Sequence, residues 1–339
     1  MGRTLAEKAF THIVTHAEGV EKDLGLAIDL GATRLRVCLG DRRGKILWRE
    51  SRFMAVPESV EDYVKQVVDE AREGMKRADP ARVFGVGIAS VGPLDLKKGG
   101  MSSPANVPYG FVPLVEPLRK ATEKEVVLMN DANAAALGER NFGAGKSHEN
   151  LVYVTISTGI GGGAIVDGHL LVGKDGNAAE IGHLVVDPAG RLMCGCGRPG
   201  HWEAYCSGKS IPRLAMLLAG EEEREGAEAR LEKMLGLGHG PVDSASVLGA
   251  AARGNKFGAR VAEEMGRLNS LGMADVVNMF DPSLITIGGG VALNNQELVL
   301  GPIRQLVPKN AINRVPEIVI TPLGDDAGLF GALSLAFGI

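Results

Sequence analysis

No uninterrupted apolar run in this chain approaches the roughly 18 residues that a membrane span requires. The stretch from Met1 to Asp23 lacks the apolar core of a signal peptide and carries charges at Arg3, Glu7, Lys8, Glu18, Glu21 and Lys22. The lipidation signal is weak as well, because Ala6 stands where myristoylation after Gly2 wants Ser or Thr. There is no basic excess: 37 Lys and Arg against 41 Asp and Glu leave a net charge of −4, with no footprint for nucleic acid. Only four cysteines occur in 339 residues, two of them in the single motif Cys194-Gly195-Cys196. Such usage fits a reducing compartment, where a cysteine pair binds metal more often than it forms a disulfide. Cys38 and Cys206 have no evident partner and read as buried small residues. A cytoplasmic protein without a membrane partner is the expectation.

What the chain has in excess is glycine, 47 residues, against an ordinary usage of about 7%. Much of it clusters at the ends of predicted strands, where it suggests backbone lying close to a ligand. Leu24–Ile28, Leu35–Leu39 and Ile46–Trp48 read as three consecutive antiparallel strands, joined by Asp29-Leu30-Gly31-Ala32-Thr33 and by a turn at 41–44. The pattern then returns: Leu151–Ile156, the turn Ser157-Thr158-Gly159-Ile160-Gly161-Gly162-Gly163, the strand Ala164–Val166, a turn at Asp167-Gly168, and the strand His169–Val172. Two copies imply an internal duplication. Each is followed by alternating helical and strand periodicity. The first half has an amphipathic helix over Val60–Ala71, strands at Val83–Ala89 and Val126–Met129, and a helix over Ala132–Arg140. The second half has an exposed helix over Glu221–Lys233, a long helix over Gly258–Phe280, strands at Leu284–Ile287 and Glu317–Ile320, and an apolar helix over Ala327–Phe337. This alternation predicts an α/β protein of two duplicated lobes with a cleft between them. The expected division is a small lobe, 1–133, completed by the C-terminal helix at about 321–339, and a large lobe, 134–320.

Three constellations carry chemistry. His183, Cys194, Cys196 and His201 can close a tetrahedral Zn²⁺ site, since thiolate and neutral imidazole suit that ion. Cys-x-Cys is a weaker zinc signal than Cys-x-x-Cys, but Gly195, Gly197, Pro199 and Gly200 suit a tight metal-binding turn. The metal would be structural, and would fix Glu180 and Glu203 beside it. Asp29-x-Gly31-x-Thr33 is the second: its amides and the Thr33 hydroxyl can receive a phosphate, while Asp29 holds Mg²⁺ through water. Alone, these are more often just turn residues. The second copy, Thr158-Gly159-Ile160-Gly161-Gly162-Gly163, is the better cradle. Third, Asp131 sits at a strand-to-helix junction, where it is either the helix N-cap or the base that takes a proton from an attacking hydroxyl.

Seven motifs in order resemble the ROK sugar kinases, within the actin-like ATPase (ribonuclease H-like) folds. They are D-L-G-A-T, N-D-A-N-A-A-A-L-G-E, T-G-I-G-G-G, A-E-I-G-H, C-G-C-G-x-x-G-x-x-E-A-Y-x-S-G, I-G-G-G and G-D-D-A-G-L-F-G-A, running from about Leu24 to the C-terminus. The resemblance implies ATP-dependent phosphorylation of a hexose, most simply glucose at its 6-hydroxyl, in a homodimer or higher homo-oligomer. Asp131 would be the base, and Asn106, Asn130, Asp131, Glu180, His183 and Glu203 would bind sugar. Gly31, Thr33, Thr158, Gly159 and Gly161 would surround the phosphates, with Gly289 and Gly290 near adenosine. His183 would serve zinc with one ring nitrogen and sugar with the other. Two departures stand out. His201 occupies the place of the family's third zinc cysteine. Ala179 replaces a glycine of glucokinase-like members, and the stretch around it looks like that of N-acylmannosamine kinases, which makes an N-acetylhexosamine the alternative substrate. Part of the family represses transcription through an added helix-turn-helix domain, for which the 23 residues before the first strand are too few.

Overall fold

A computed structural model describes residues 22–104, 107–220, 226–238 and 241–339. The first copy of the predicted pattern forms β1 (Leu24–Leu30), β2 (Arg34–Asp41) and β3 (Ile46–Phe53), paired antiparallel in sequence. All seven residues of β1 are buried, the signature of a strand covered on both faces. β4 (Val83–Ser90) then joins β1 in parallel. The short strands β5 (Leu94–Asp95), β6 (Gly100–Ser102) and β7 (Phe111–Pro113) make a separate antiparallel meander, and β8 (Val126–Asn130) pairs parallel with β4. The second copy supplies β9 (Leu151–Ile156), β10 (Ile160–Val166) and β11 (His169–Leu170), followed by β12 (Leu284–Gly288) and β13 (Glu317–Ile320).

The two large sheets have the same plan. Their orders are β3-β2-β1-β4-β8 and β11-β10-β9-β12-β13, so each is an antiparallel three-strand start extended by two parallel strands. Duplication is therefore a property of topology and not only of motif. By compactness the chain forms two units, Met1–Glu149 with Gly163–Ala178 and Asp326–Ile339, and Asn150–Gly162 with Ala179–Asp325.

Helices follow the expected periodicities. Val60–Met75 buries Tyr63, Val64, Val67, Val68 and Ala71, and Ser59 caps it by accepting the Asp62 amide hydrogen. The long helix is Lys256–Phe280, and the C-terminal helix is Ala327–Phe337. Three readings need correction. Gly161, Gly162 and Gly163 lie in β10 and not in the turn before it, which spans only Ser157–Gly159. Gly162 and Gly163 are small because Ile181 and the Ala132 carbonyl come within 2.6 and 2.3 Å of where a Cβ would sit. The strand at His169 stops at Leu170. The charged helix is Ala227–Leu235 and buries Ala227, Leu231 and Leu235, so it is half-covered; residues 221–225 lie outside the described ones.

Close backbone approach holds the C-terminal helix in the first unit. A Cβ at Gly87 of β4 would stand 1.9 Å from the Ala332 carbonyl, and one at Gly331 would stand 2.1 Å from the Ala134 carbonyl in the helix Asp131–Asn141. Gly331→Ala sets two effects against each other. Helix propensity favours alanine by about 1 kcal/mol, but the neighbours it would strike are backbone and cannot rotate away. We expect steric overlap to win, with a net loss of about 1–3 kcal/mol read as a lower denaturant midpoint. A midpoint at or above that of the wild type would mean the two helices part freely.

Candidate active site

In the first unit the Gly31 amide donates to the Arg34 carbonyl at 2.9 Å, closing the turn between β1 and β2 and leaving Ala32 and Thr33 at the surface. Asp29 lies buried below this turn. Its carboxylate pairs with Arg36, its register partner on β2, at 2.5 Å. Arg36 in turn is 3.7 Å from Asp326, which pairs with Arg49 at 2.6 Å. Burial pushes the Asp29 carboxyl up from the usual range while Arg36 pulls it back. Beside it, a Cβ at Gly328 would come within 2.9 Å of Asp29 Oδ2, so the carboxylate packs closely against the glycine backbone.

At the end of β8, Asn130 and not Asp131 is the N-cap: its Oδ1 accepts from the amides of Ala132 at 3.0 Å and Asn133 at 3.2 Å. The cap alternative for Asp131 is thereby corrected, because Asn130 has the non-helical backbone that a cap needs, φ −58° and ψ 143°, and Asp131 is already helical. Asp131 Oδ1 accepts from the Ala132 amide at 2.8 Å, which places a carboxylate at the positive end of the helix. Asn106 lies outside the described residues.

The second unit brings the four proposed metal ligands together. One donor atom each from His183, Cys194, Cys196 and His201 lies within 4.8 Å of the others. His183 Nδ1 is 3.2 Å from His201 Nδ1 and 3.7 Å from Cys194 Sγ, and Cys196 Sγ is 3.2 Å from His201 Nδ1. A tetrahedral ion with ordinary bond lengths separates two nitrogens by about 3.3 Å and nitrogen from sulfur by about 3.5 Å. The spacing therefore already fits one. The loop's shape comes from glycine: Gly197 and Gly200 have φ of +81° and +80°, and a Cβ at Gly200 would strike the Asp187 carbonyl at 2.3 Å.

Both predicted glutamates border this cluster. His183 turns its Nε2 toward Glu180, 3.8 Å away, so its two ring nitrogens do face different groups. Loss of solvent raises the Glu180 carboxyl above its usual value, opposed by His183 and reinforced by Glu203. Glu203 Oε2 accepts the Ile160 amide hydrogen at 2.9 Å, and its Oε1 lies 3.7 Å from Cys194 Sγ. Gly159 has no room for a side chain, since a Cβ would stand 2.5 Å from Glu203 Oε2. Ala179, just before Glu180, holds φ +62°, a left-handed conformation unusual for a residue with a Cβ.

Two anchors behind the loop were not legible beforehand. Trp202 is fully buried; its Nε1 donates to Asn269 Oδ1 at 2.8 Å, and the ring lies against Gly272 of the long helix. The Tyr205 hydroxyl donates to Asp187 Oδ2 at 2.6 Å and accepts from the Leu192 amide at 2.8 Å, while Arg191 Nε reaches the same carboxylate at 2.9 Å. Cys38 and Cys206 are buried, as expected.

A cavity of about 340 Å³ lies in the second unit. It unites Thr158 with Gly290, and adds Lys209, Ser244, Asn294 and Asn295, which sequence reasoning missed. Gly289 beside it has φ +86° and no space for a Cβ, which would meet the Ile156 carbonyl at 2.6 Å. The adjacent pair Asn294-Asn295 after I-G-G-G was the available signal, but asparagines at a helix end read first as caps.

Paired β-sheets of one plan, with a carboxylate at a helix start in one unit and a His/Cys cluster and polar cavity in the other, define a duplicated α/β protein. The chain belongs to the ROK family, whose profile matches residues 25–338. It is 35% identical over 314 residues to a glucokinase of Thermotoga maritima, covering 91% of this chain and 96% of that one. It is 37% identical over 322 residues to a glucokinase of Aeropyrum pernix, covering 92% and 96%. The crystal structure of a ROK family glucokinase from Streptomyces griseus in complex with glucose and AMPPNP superposes with a TM-score of 0.75 at 34% identity, covering 93% of this chain and 99% of that one. Among the described residues no helix is long and apolar enough to cross a membrane.

Tyr205→Phe tests the metal-independent anchor. Removing the hydroxyl leaves the Leu192 amide without its acceptor and takes one donor from Asp187, at a cost of about 1–3 kcal/mol. Thermal unfolding should shift down and the Leu192 amide should exchange faster. Unchanged exchange would show that this anchor does not hold the loop.

Proposed function

We propose that the chain is an ATP-dependent hexose kinase whose preferred sugar is glucose, phosphorylated at the 6-hydroxyl. Glu203 carries the reading. One carboxylate touches the amide of Ile160 next to the Thr158-Gly159 turn and lies beside Cys194 of the metal cluster, so a sugar ligand, a phosphate turn and a metal loop are fused at a single residue. The likeness to a glucokinase bound to glucose and an ATP analogue supports the same conclusion.

In this reading Asn130, Asp131, Glu180, His183 and Glu203, with Asn106, bind sugar hydroxyls. Gly31, Thr33, Thr158, Gly159 and Gly161 lie around the phosphates, and Gly289 and Gly290 lie toward the nucleoside. Asp131 accepts the proton of the attacking hydroxyl as the new bond to phosphorus forms and the bond to ADP breaks. Asn130 supplies the N-cap and Asp131 Oδ1 accepts from the same Ala132 amide, so both side chains stand at the start of the helix. Asp29 is the residue to hold Mg²⁺ through water, from its place below the Gly31 turn. The ion, when bound, neutralises phosphate charge. Four free cysteines suit a reducing cytoplasm.

An ADP-release assay across glucose, mannose, fructose, N-acetylglucosamine and N-acetylmannosamine decides the substrate. Fastest turnover on an N-acetylhexosamine would transfer the assignment to the second reading, which Ala179 favours. Asp131→Asn should keep sugar affinity by calorimetry and lower kcat by about 10²- to 10⁴-fold. A kcat near that of the wild type would remove Asp131 from the chemistry.

The cluster's spacing supports zinc, held by His183, Cys194, Cys196 and His201. Purified protein should contain one equivalent, and Cys194→Ala or His201→Ala should lose it and raise the sugar KM while ATP binding persists. A full equivalent retained by His201→Ala would eliminate that ligand.

A further inference from the structure

The lining of the 340 Å³ cavity is chemically lopsided. Asn294 and Asn295 each use their side-chain amide as a donor to the backbone, to the carbonyls of Gly290 at 2.8 Å and Val291 at 2.9 Å. That leaves their carbonyl oxygens as acceptors, which suit the amine and hydroxyl hydrogens of a nucleoside and repel phosphate. Among the described residues lining the cavity, Lys209 is the only charged one, and the lining contains no carboxylate. Lys209 is also held close to the Ser157–Gly159 turn. The Gly208 amide donates to the Ser157 carbonyl at 2.7 Å, and the Lys209 amide reaches the Thr158 carbonyl at 3.4 Å. A Cβ at Gly208 would stand 3.0 Å from the Ser157 oxygen, so this approach depends on glycine. Ser207 Oγ, the hydroxyl just before Gly208, donates to Ser210 Oγ at 3.0 Å.

We propose that Lys209 is the cation that binds the distal phosphates of the nucleotide, with the nucleoside oriented toward Asn294 and Asn295. This rests on the kinase reading and adds a residue that sets affinity for the phosphoryl donor. The ammonium is a point charge on a flexible stem, and it can follow the β- and γ-phosphates without fixing their geometry. Its effect therefore falls on donor binding and not on the sugar.

The test is calorimetry of Lys209→Met and Lys209→Arg with adenosine, AMP, ADP and AMPPNP, alongside steady-state kinetics and a melting curve for each variant. Lys209→Met should weaken ADP and AMPPNP by about tenfold, as expected for a charge-assisted contact open to solvent. Adenosine should bind as before, the sugar KM should hold, and Lys209→Arg should restore most of the loss. The ADP affinity of the wild type should also fall more steeply with salt than that of Lys209→Met. Unchanged ADP affinity in a folded Lys209→Met overturns the proposal while leaving the kinase reading intact, and so does an equal loss for adenosine and ADP. A wild-type protein that binds no nucleotide overturns the kinase reading and this proposal together.

Discussion

The indole of Trp202 is the constraint on which the second unit's site depends. It is fully buried, its one polar atom is satisfied by Asn269, and Gly272 removes the side chain that would otherwise occupy its space. A buried ring held by a hydrogen bond and by contact with helical backbone has little freedom. Its sequence neighbours inherit that rigidity. His201 is delivered to the His/Cys cluster and Glu203 to the Ile160 amide, from the two sides of one fixed residue. The loop before them is closed at its far end by Asp187, Arg191 and Tyr205, so two anchors hold it apart from any ion. Such support from outside the ligand set is what keeps metal and substrate groups within tolerance of a working geometry.

The two sheets share one plan but place their acidic groups differently. In the first, the residue below the turn is Asp29, drawn into an alternating chain with Arg36, Asp326 and Arg49. In the second, the equivalent turn contains no such acid, and a carboxylate arrives from elsewhere, Glu203, to take the amide of Ile160. Both solutions put a negative group against a tight turn, but only the first is compensated by arginine. The carboxylate of the first turn is thus paired with a guanidinium, and that of the second with a backbone amide.

Much of the architecture was legible because it depends on local periodicity. The strand Glu317–Ile320 and the helix Ala327–Phe337 fall where alternation and apolar spacing place them, and the duplication reappears as one strand order used twice. The glycines were harder to read. Gly161, Gly162 and Gly163 look like a phosphate loop, yet they lie in β10, and for Gly162 and Gly163 the need for smallness comes from Ile181 and the Ala132 carbonyl. A missing Cβ looks the same in sequence whether a ligand or another segment of backbone comes close.

Residue types and their order in the chain were enough to indicate the α/β class, the repeated pattern and the grouping of His183, Cys194, Cys196 and His201, since each follows from chemistry confined to a short window. Tertiary structure alone decided that Glu203 meets the Ile160 amide and that Lys209 shares a cavity with Asn294 and Asn295. Those outcomes turn on distances between segments far apart along the chain, which packing sets and local sequence does not encode.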